Sequence, residues 1–178
     1  MYAEAVFAGM GGQGALLAAQ ILAHAGMHEN KNVVWYPAYG PETRGGIATC
    51  TLIISDDEIG APIATNPSIL VAFNQQMLDK FIDTVKPNGI VIVNDDLCEK
   101  PRRNDVTKYC IPASSIALEL GQPKVLNMVL VGAYAQITGI VNSDSVKWAL
   151  ETQLPEKLQK TIPINMEALK KGMDTAKI

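Results

Sequence analysis

Two glycine-rich stretches hold the residues best suited to chemistry. The first, Gly9-Met10-Gly11-Gly12-Gln13-Gly14, follows the apolar run Ala5-Val6-Phe7-Ala8 and leads into Ala15-Leu16-Leu17-Ala18-Ala19-Gln20-Ile21-Leu22-Ala23. This order predicts strand, loop and helix. Glycines let backbone N–H groups approach an anion closely, and the helix N-terminus adds the positive end of its dipole. Gly9, Gly11 and Gly14 satisfy the G-x-G-x-x-G spacing. The same glycines would serve a tight strand-to-helix turn, but the additional Gly12 and Gln13 exceed what such a turn needs.

A dinucleotide site makes a second demand, a carboxylate about 20 residues on at the end of the next strand, to hold the ribose. That strand ends in Trp35-Tyr36-Pro37-Ala38, and Glu29 precedes it at the wrong end. A free-standing NAD(P)-dependent dehydrogenase, the alternative reading, therefore lacks its second anchor. A nucleotide-triphosphate loop is excluded because no Gly-Lys-Ser/Thr follows. An anion cradle remains.

The second stretch is Tyr39-Gly40-Pro41-Glu42-Thr43-Arg44-Gly45-Gly46. If its preceding strand runs parallel to the first, both loops share one edge of the sheet. Arg44 would offer a fixed fork of donors for phosphate or carboxylate. Gly45 and Gly46 would allow close backbone approach, and Pro41 would stiffen the loop. A local Glu42–Arg44 pair is the structural alternative.

Other polar residues point to no catalytic constellation and no metal site. His24 lies on an apolar helix and reads as a packed core histidine, and His28 as a surface residue beyond that helix. Asp56-Asp57-Glu58 and Asn94-Asp95-Asp96 read as acidic turns without ligand spacing. Asn127, at a helix start, reads as a cap in preference to a residue facing a ligand. Cys50, Cys98 and Cys110 lack Cys-x-x-Cys spacing and read as free thiols of a reducing compartment.

The elements that must position these loops follow from periodicity. Strands are expected at Asn32–Tyr36, Ile47–Ile54, Ser68–Phe73 and Ile90–Asn94, with a short one at Tyr109–Ile111. Helices are expected at Gln75–Val85, Ser115–Leu120, Leu126–Ile140, Ser145–Leu154 and Asn165–Ala176. Apolar strands between helices imply a sheet covered on both faces. The direct passage from second to third strand makes that sheet mixed. The 178 residues suit one α/β domain. The net charge of −3 gives no case for nucleic acid, and Lys100-Pro101-Arg102-Arg103 reads as a solvated loop. No segment has the length of a membrane span and no secretory signal is evident, so a cytoplasmic location is expected. Charged residues make up 19 %, below the usual ~25 %, which hints at permanent partners.

The paired loops, with the later Asn127-Met128-Val129-Leu130-Val131-Gly132-Ala133, resemble the gamma subunit of 2-oxoacid:ferredoxin (acceptor) oxidoreductases. The resemblance covers nearly the whole chain, read as one gamma-type domain over 1–178. It implies a three-layer α/β/α, Rossmann-like fold with a mixed, mostly parallel sheet. It also implies a complex that oxidatively decarboxylates a 2-oxoacid to the acyl-coenzyme A, with 2-oxoglutarate first and branched-chain 2-oxoacids next on overall similarity. Alpha and beta catalytic subunits, a ferredoxin-like delta subunit and ferredoxin or another acceptor are the implied partners. Thiamine diphosphate, magnesium and [4Fe-4S] clusters would sit on those partners, leaving this subunit non-catalytic and inactive alone. By the same resemblance Gly9, Gly11, Gly12, Gln13 and Gly14 would cradle the phosphates of coenzyme A. Tyr39, Arg44, Gly45 and Gly46 would line the same cleft or contact the catalytic subunits.

Overall fold

The computed structural model describes residues 1–40, 46–60 and 64–177. Its strands are β1 (Tyr2–Met10), β2 (Asn32–Tyr39), β3 (Ile47–Ser55), β4 (Ile69–Ala72), β5 (Ile90–Asn94) and β6 (Thr107–Ile111). Its helices are α1 (Ala15–His28), α2 (Gln75–Phe81), α3 (Ala113–Glu119), α4 (Leu126–Thr138), α5 (Ser143–Gln153), α6 (Glu156–Gln159) and α7 (Ile162–Thr175). The strands form one sheet in the order β2-β3-β1-β4-β5-β6. β3 runs against both its neighbours, and the pairs from β1 to β6 are parallel. The mixed, mostly parallel sheet is as expected.

Alternation along the strands sorts side chains between two cores. Phe7, Leu52, Val71, Ile92 and Ile111 enter the larger one with residues of α1, α3, α4, α5 and α7. Val6, Ala8, Leu70, Ala72, Val91 and Val93 enter a smaller one with Met77 and Leu78 of α2. The result is three layers of unequal size. Coverage of both faces holds only in part. On the α2 side, β2 and its half of β3 are left open, with Tyr36 at 50 % exposure and Thr49 and Thr51 half-buried. The threonines alternating along β3 are the sequence mark of that wetter face.

β2 continues past Tyr36 through Pro37 to Tyr39, further than expected. The Gly40 N–H bonds Ile47 O at 2.7 Å, which sets the phase of the antiparallel ladder. Tyr36 and Ala38 thus turn their backbone groups toward β3, and Pro37 turns its nitrogen to the outer edge. There no ladder N–H is required, and proline interrupts the row of donors that would invite another strand.

α4 is buried from Asn127 to Ala135 because the sheet lies on one side and α7 on the other. Their crossing is close enough that a Cβ on Gly132 would overlap the Leu169 carbonyl, and one on Gly172 the Val129 carbonyl. His28 is the last residue of α1, not a residue beyond it, and its ring stacks on Trp148 with centroids 4.2 Å apart. Glu29 accepts a 2.8 Å bond from the Asn142 N–H at the start of α5, a structural use for that carboxylate.

The connections create one crevice. From β1 the chain crosses one face through α1 to reach β2, and from β4 it crosses the other face through α2 to reach β5. The strand order therefore reverses between the carboxyl ends of β1 and β4, where ligands of open α/β sheets bind.

Candidate functional site

The glycine loop occupies that crevice. Gly12 (φ 96°) and Gly14 (φ 81°) adopt left-handed backbone that side chains disfavour. Gly14 is also the N-cap of α1, so the position usually held by Ser, Thr or Asp carries no side-chain acceptor. The first turn of α1 holds no acidic residue. Its positive end is thus left uncompensated by the helix itself.

The loop's own bonds leave donors unspent. Met10 N–H bonds Gln13 Oε1 at 2.8 Å, Gln13 N–H bonds Met10 O at 3.1 Å, and Gly11 N–H bonds Gly46 O at 2.8 Å. Among the described residues, the N–H groups of Gly12, Gly14, Ala15, Leu16 and Leu17 have no acceptor. Gly11 and Gly12 are exposed. A helix end with unspent donors and no acid of its own is what an anionic group requires.

Two asparagines from other elements buttress the loop. Asn74, two residues past the end of β4, caps α2 by accepting the Met77 N–H at 3.1 Å and donates Nδ2 to Gln13 Oε1 at 2.7 Å. Asn127, 4 % exposed, lies against Gly14, with Nδ2 3.4 Å from its carbonyl. It is the second residue of α4 and makes no capping bond, so its expected role as a cap is corrected. Neither contact was legible beforehand. Asn74 shows in sequence only as a polar residue opening a helix, and its partner is 61 positions away.

The second glycine stretch meets the first. β2 is parallel to β1 through β3, and Tyr39 and Gly46 both lie at the edge where Gly9 to Gly14 emerge. The Gly11–Gly46 bond joins the two backbones directly. Tyr39 is 74 % exposed. Arg44 and Gly45, with Pro41, Glu42 and Thr43, lie outside the described residues. Tyr39, Gly40, Ile47 and Thr49 also line a cleft of about 220 Å³ whose other wall is Lys80 and Phe81.

The remaining candidates have structural partners. Asn94 bonds Ser114 through both amide atoms, and Asp96 accepts from Ser115 N–H and Oγ at 2.8 and 2.5 Å. The acidic turn thereby secures the start of α3. Asp56 is paired with Lys31 and the terminal amine, which hold its carboxyl down at about 2. Arg103 is not merely solvated: it pairs with Asp105 and donates to the carbonyls of Ile82 and Val85. Burial pushes the thiols of Cys50 and Cys98 up to about 12, which suits packing and not nucleophilic work. Among the described residues no three His, Cys, Asp or Glu side chains gather as metal ligands. No described helix is long and apolar enough to cross a membrane.

Residues 4–175 match the family model for pyruvate ferredoxin/flavodoxin oxidoreductase. The 2-oxoglutarate synthase subunit KorC of Methanocaldococcus jannaschii is 39 % identical, over 99 % of this chain and 95 % of its own length. The chain belongs to the gamma-subunit family of 2-oxoacid:ferredoxin oxidoreductases. Ketoisovalerate oxidoreductase subunit VorA of Methanothermobacter marburgensis is 37 % identical over 96 % of the chain, which spans 36 % of that relative. In VorA the gamma-type unit is thus about a third of a longer polypeptide. The crystal structure of a keto/oxoacid ferredoxin oxidoreductase gamma subunit from Geobacter sulfurreducens superposes with TM-score 0.82 at 30 % identity, covering 98 % of both chains. The fold alone is shared with 2-oxoglutarate:ferredoxin oxidoreductase from Magnetococcus marinus (TM-score 0.90, 23 % identity, 99 % of this chain and 31 % of that one). That structure was solved with 2-oxoglutarate, coenzyme A and succinyl-CoA bound. The chain is accordingly a gamma-type subunit of a multi-subunit oxidoreductase, and the free-standing dehydrogenase reading is not favoured.

Proposed function

We propose that this gamma subunit, one domain over 1–178, serves a 2-oxoglutarate:ferredoxin oxidoreductase and holds the phosphates of coenzyme A at Gly9, Gly11, Gly12, Gln13 and Gly14. The observation that carries the reading is the set of unspent N–H groups at the uncapped, acid-free start of α1. Coenzyme A supplies the thiol that takes up the acyl group. This chain's part is binding and orientation, with backbone donors for phosphate oxygens and Gly12 and Gly14 permitting close approach.

Tyr39, Arg44, Gly45 and Gly46 extend the same cleft or meet the catalytic subunits. The identity to KorC supports 2-oxoglutarate, and the identity to VorA keeps branched-chain 2-oxoacids second. The subunit is non-catalytic and inactive alone, in a cytoplasmic assembly with alpha, beta and ferredoxin-like delta chains. Those chains carry thiamine diphosphate, magnesium and the iron–sulfur clusters.

Coexpression with the alpha, beta and delta chains, followed by dye reduction with each 2-oxoacid, tests the assignment. Coenzyme A-dependent turnover is expected to be fastest with 2-oxoglutarate and to vanish without this chain. Turnover that does not need it, or that ignores coenzyme A, would overturn the assignment.

A further inference from the structure

We infer that Asn74 is a positioning residue for the glycine loop, locking the Gln13 side chain so that its Nε2 faces the bound anion; this rests on the coenzyme A reading above. The two amide orientations are fixed by backbone donors. The Met77 N–H can only donate, so the Asn74 atom it meets at 3.1 Å is Oδ1. That leaves Nδ2 as the donor toward Gln13 at 2.7 Å. The Met10 N–H likewise can only donate, so the Gln13 atom at 2.8 Å is Oε1. Oε1 then accepts from two donors at once, while Nε2 has no acceptor among the described residues.

Gln13 thereby keeps two N–H donors unspent, in the same loop as the unspent backbone donors of Gly12 and Gly14. A glutamine free in solution would sample many rotamers, and two bonds to Oε1 remove that freedom before any ligand arrives. Gly9 fits the same device. A Cβ there would stand 3.3 Å from Oε1 and 3.0 Å from the Ala15 Cβ. The first glycine of the motif therefore makes room for the locked amide, and the later ones approach the ligand. Because Asn74 also caps α2, the lock ties the loop after β1 to the element after β4, across the crevice.

The test uses the assembled complex, with coenzyme A binding followed by calorimetry and turnover by 2-oxoglutarate-dependent dye reduction. Asn74→Ser keeps an N-cap oxygen for Met77 but is too short to reach Gln13. It is expected to raise Kd and KM for coenzyme A about three- to tenfold, leaving kcat and the melting temperature unchanged. Gln13→Glu keeps the acceptor for Met10 and Asn74 but replaces the free donor with a negative oxygen, and should weaken binding at least about tenfold. In a Gln13→Ala background, Asn74→Ser should add nothing. A lower melting temperature with unchanged Kd for Asn74→Ser would make Asn74 a cap alone and overturn the inference. Wild-type affinity in Gln13→Glu would also overturn it. Gly11→Leu separates the two levels. If it abolishes coenzyme A binding while Asn74→Ser does nothing, the lock is wrong and the cradle stands. If Gly11→Leu binds normally, the coenzyme A reading itself falls.

Discussion

Position 14 is reserved for glycine twice over, and the two reasons can be separated by measurement. Gly14 has φ 81°, where an alanine costs about 1–2 kcal/mol. A Cβ there would also stand 2.8 Å from Asn127 Nδ2 and 3.0 Å from its Cγ. Asn127 is buried at the start of α4, so it can yield only by disturbing its neighbours, an overpacking cost of about 1–2 kcal/mol. Gly14→Ala should therefore lose about 3 kcal/mol in urea unfolding, or roughly 6–12 °C in melting temperature for a chain of this size. Gly12 is the internal control. It has φ 96° but, among the described residues, no atom within 4 Å of an added Cβ, so Gly12→Ala should show the backbone term of about 1–2 kcal/mol alone. In an Asn127→Ala background the cost of Gly14→Ala should fall to that same value, a coupling of about 1–2 kcal/mol. Equal costs for the two glycine variants, or no coupling to Asn127, would refute the steric part of the argument.

Three further outcomes follow from the packing and the ion pairs. Gly172→Ala should cost about 3 kcal/mol in chemical unfolding, because its Cβ would overlap the Val129 carbonyl and force α7 off α4; near-wild-type stability would mean the crossing is not tight. Tyr134 is fully buried against Phe7 with no hydrogen-bond partner for its hydroxyl among the described residues. Tyr134→Phe should therefore gain about 1 kcal/mol, and a loss on calorimetry would reveal an internal partner. Asp56 is held at about 2 in the fold, first by its bond to Lys31 and then by the terminal amine. A lowered carboxylate contributes stability above its unfolded value of about 3.9 and loses it as pH falls toward 2. Melting curves of Asp56→Asn should thus converge with wild type over that acid window, and a constant offset down to pH 2 would contradict the pairing.

The parts legible in the sequence were those carried by local pattern. The glycine spacing located β1, the loop and α1, and β5 was predicted at Ile90–Asn94 as found. What escaped depended on pairing across distance. The strand pattern stops at Tyr36, yet the ladder phase set at Gly40 and Ile47 turns the missing N–H of Pro37 outward, so the strand runs on. Asn127 had the residue type and place of a cap, and only the approach of α4 to Gly14 makes it a buttress. The uneven cover of the sheet was also hidden, because hydrophobicity marks a buried face without saying which helix covers it.

The antiparallel strand explains why Gly46 of the second glycine stretch meets Gly11 of the first. In an all-parallel sheet, the strand following β2 would begin at the opposite edge, and the connection from Tyr39 would have to leave the crevice to reach it. Here β3 starts beside the end of β1, with Met10 opposite Ile47, and returns antiparallel to both neighbours. The end of β2 and the start of β3 therefore lie together at the carboxyl edge, and Gly46 reaches Gly11 directly. β3 lies between β1 and β2, so Gly46, just ahead of β3, comes up beside the first loop. A chain that needed only the dinucleotide pattern could do without this reversal. The reversal is what lets backbone at Gly46 bond the glycine loop at Gly11.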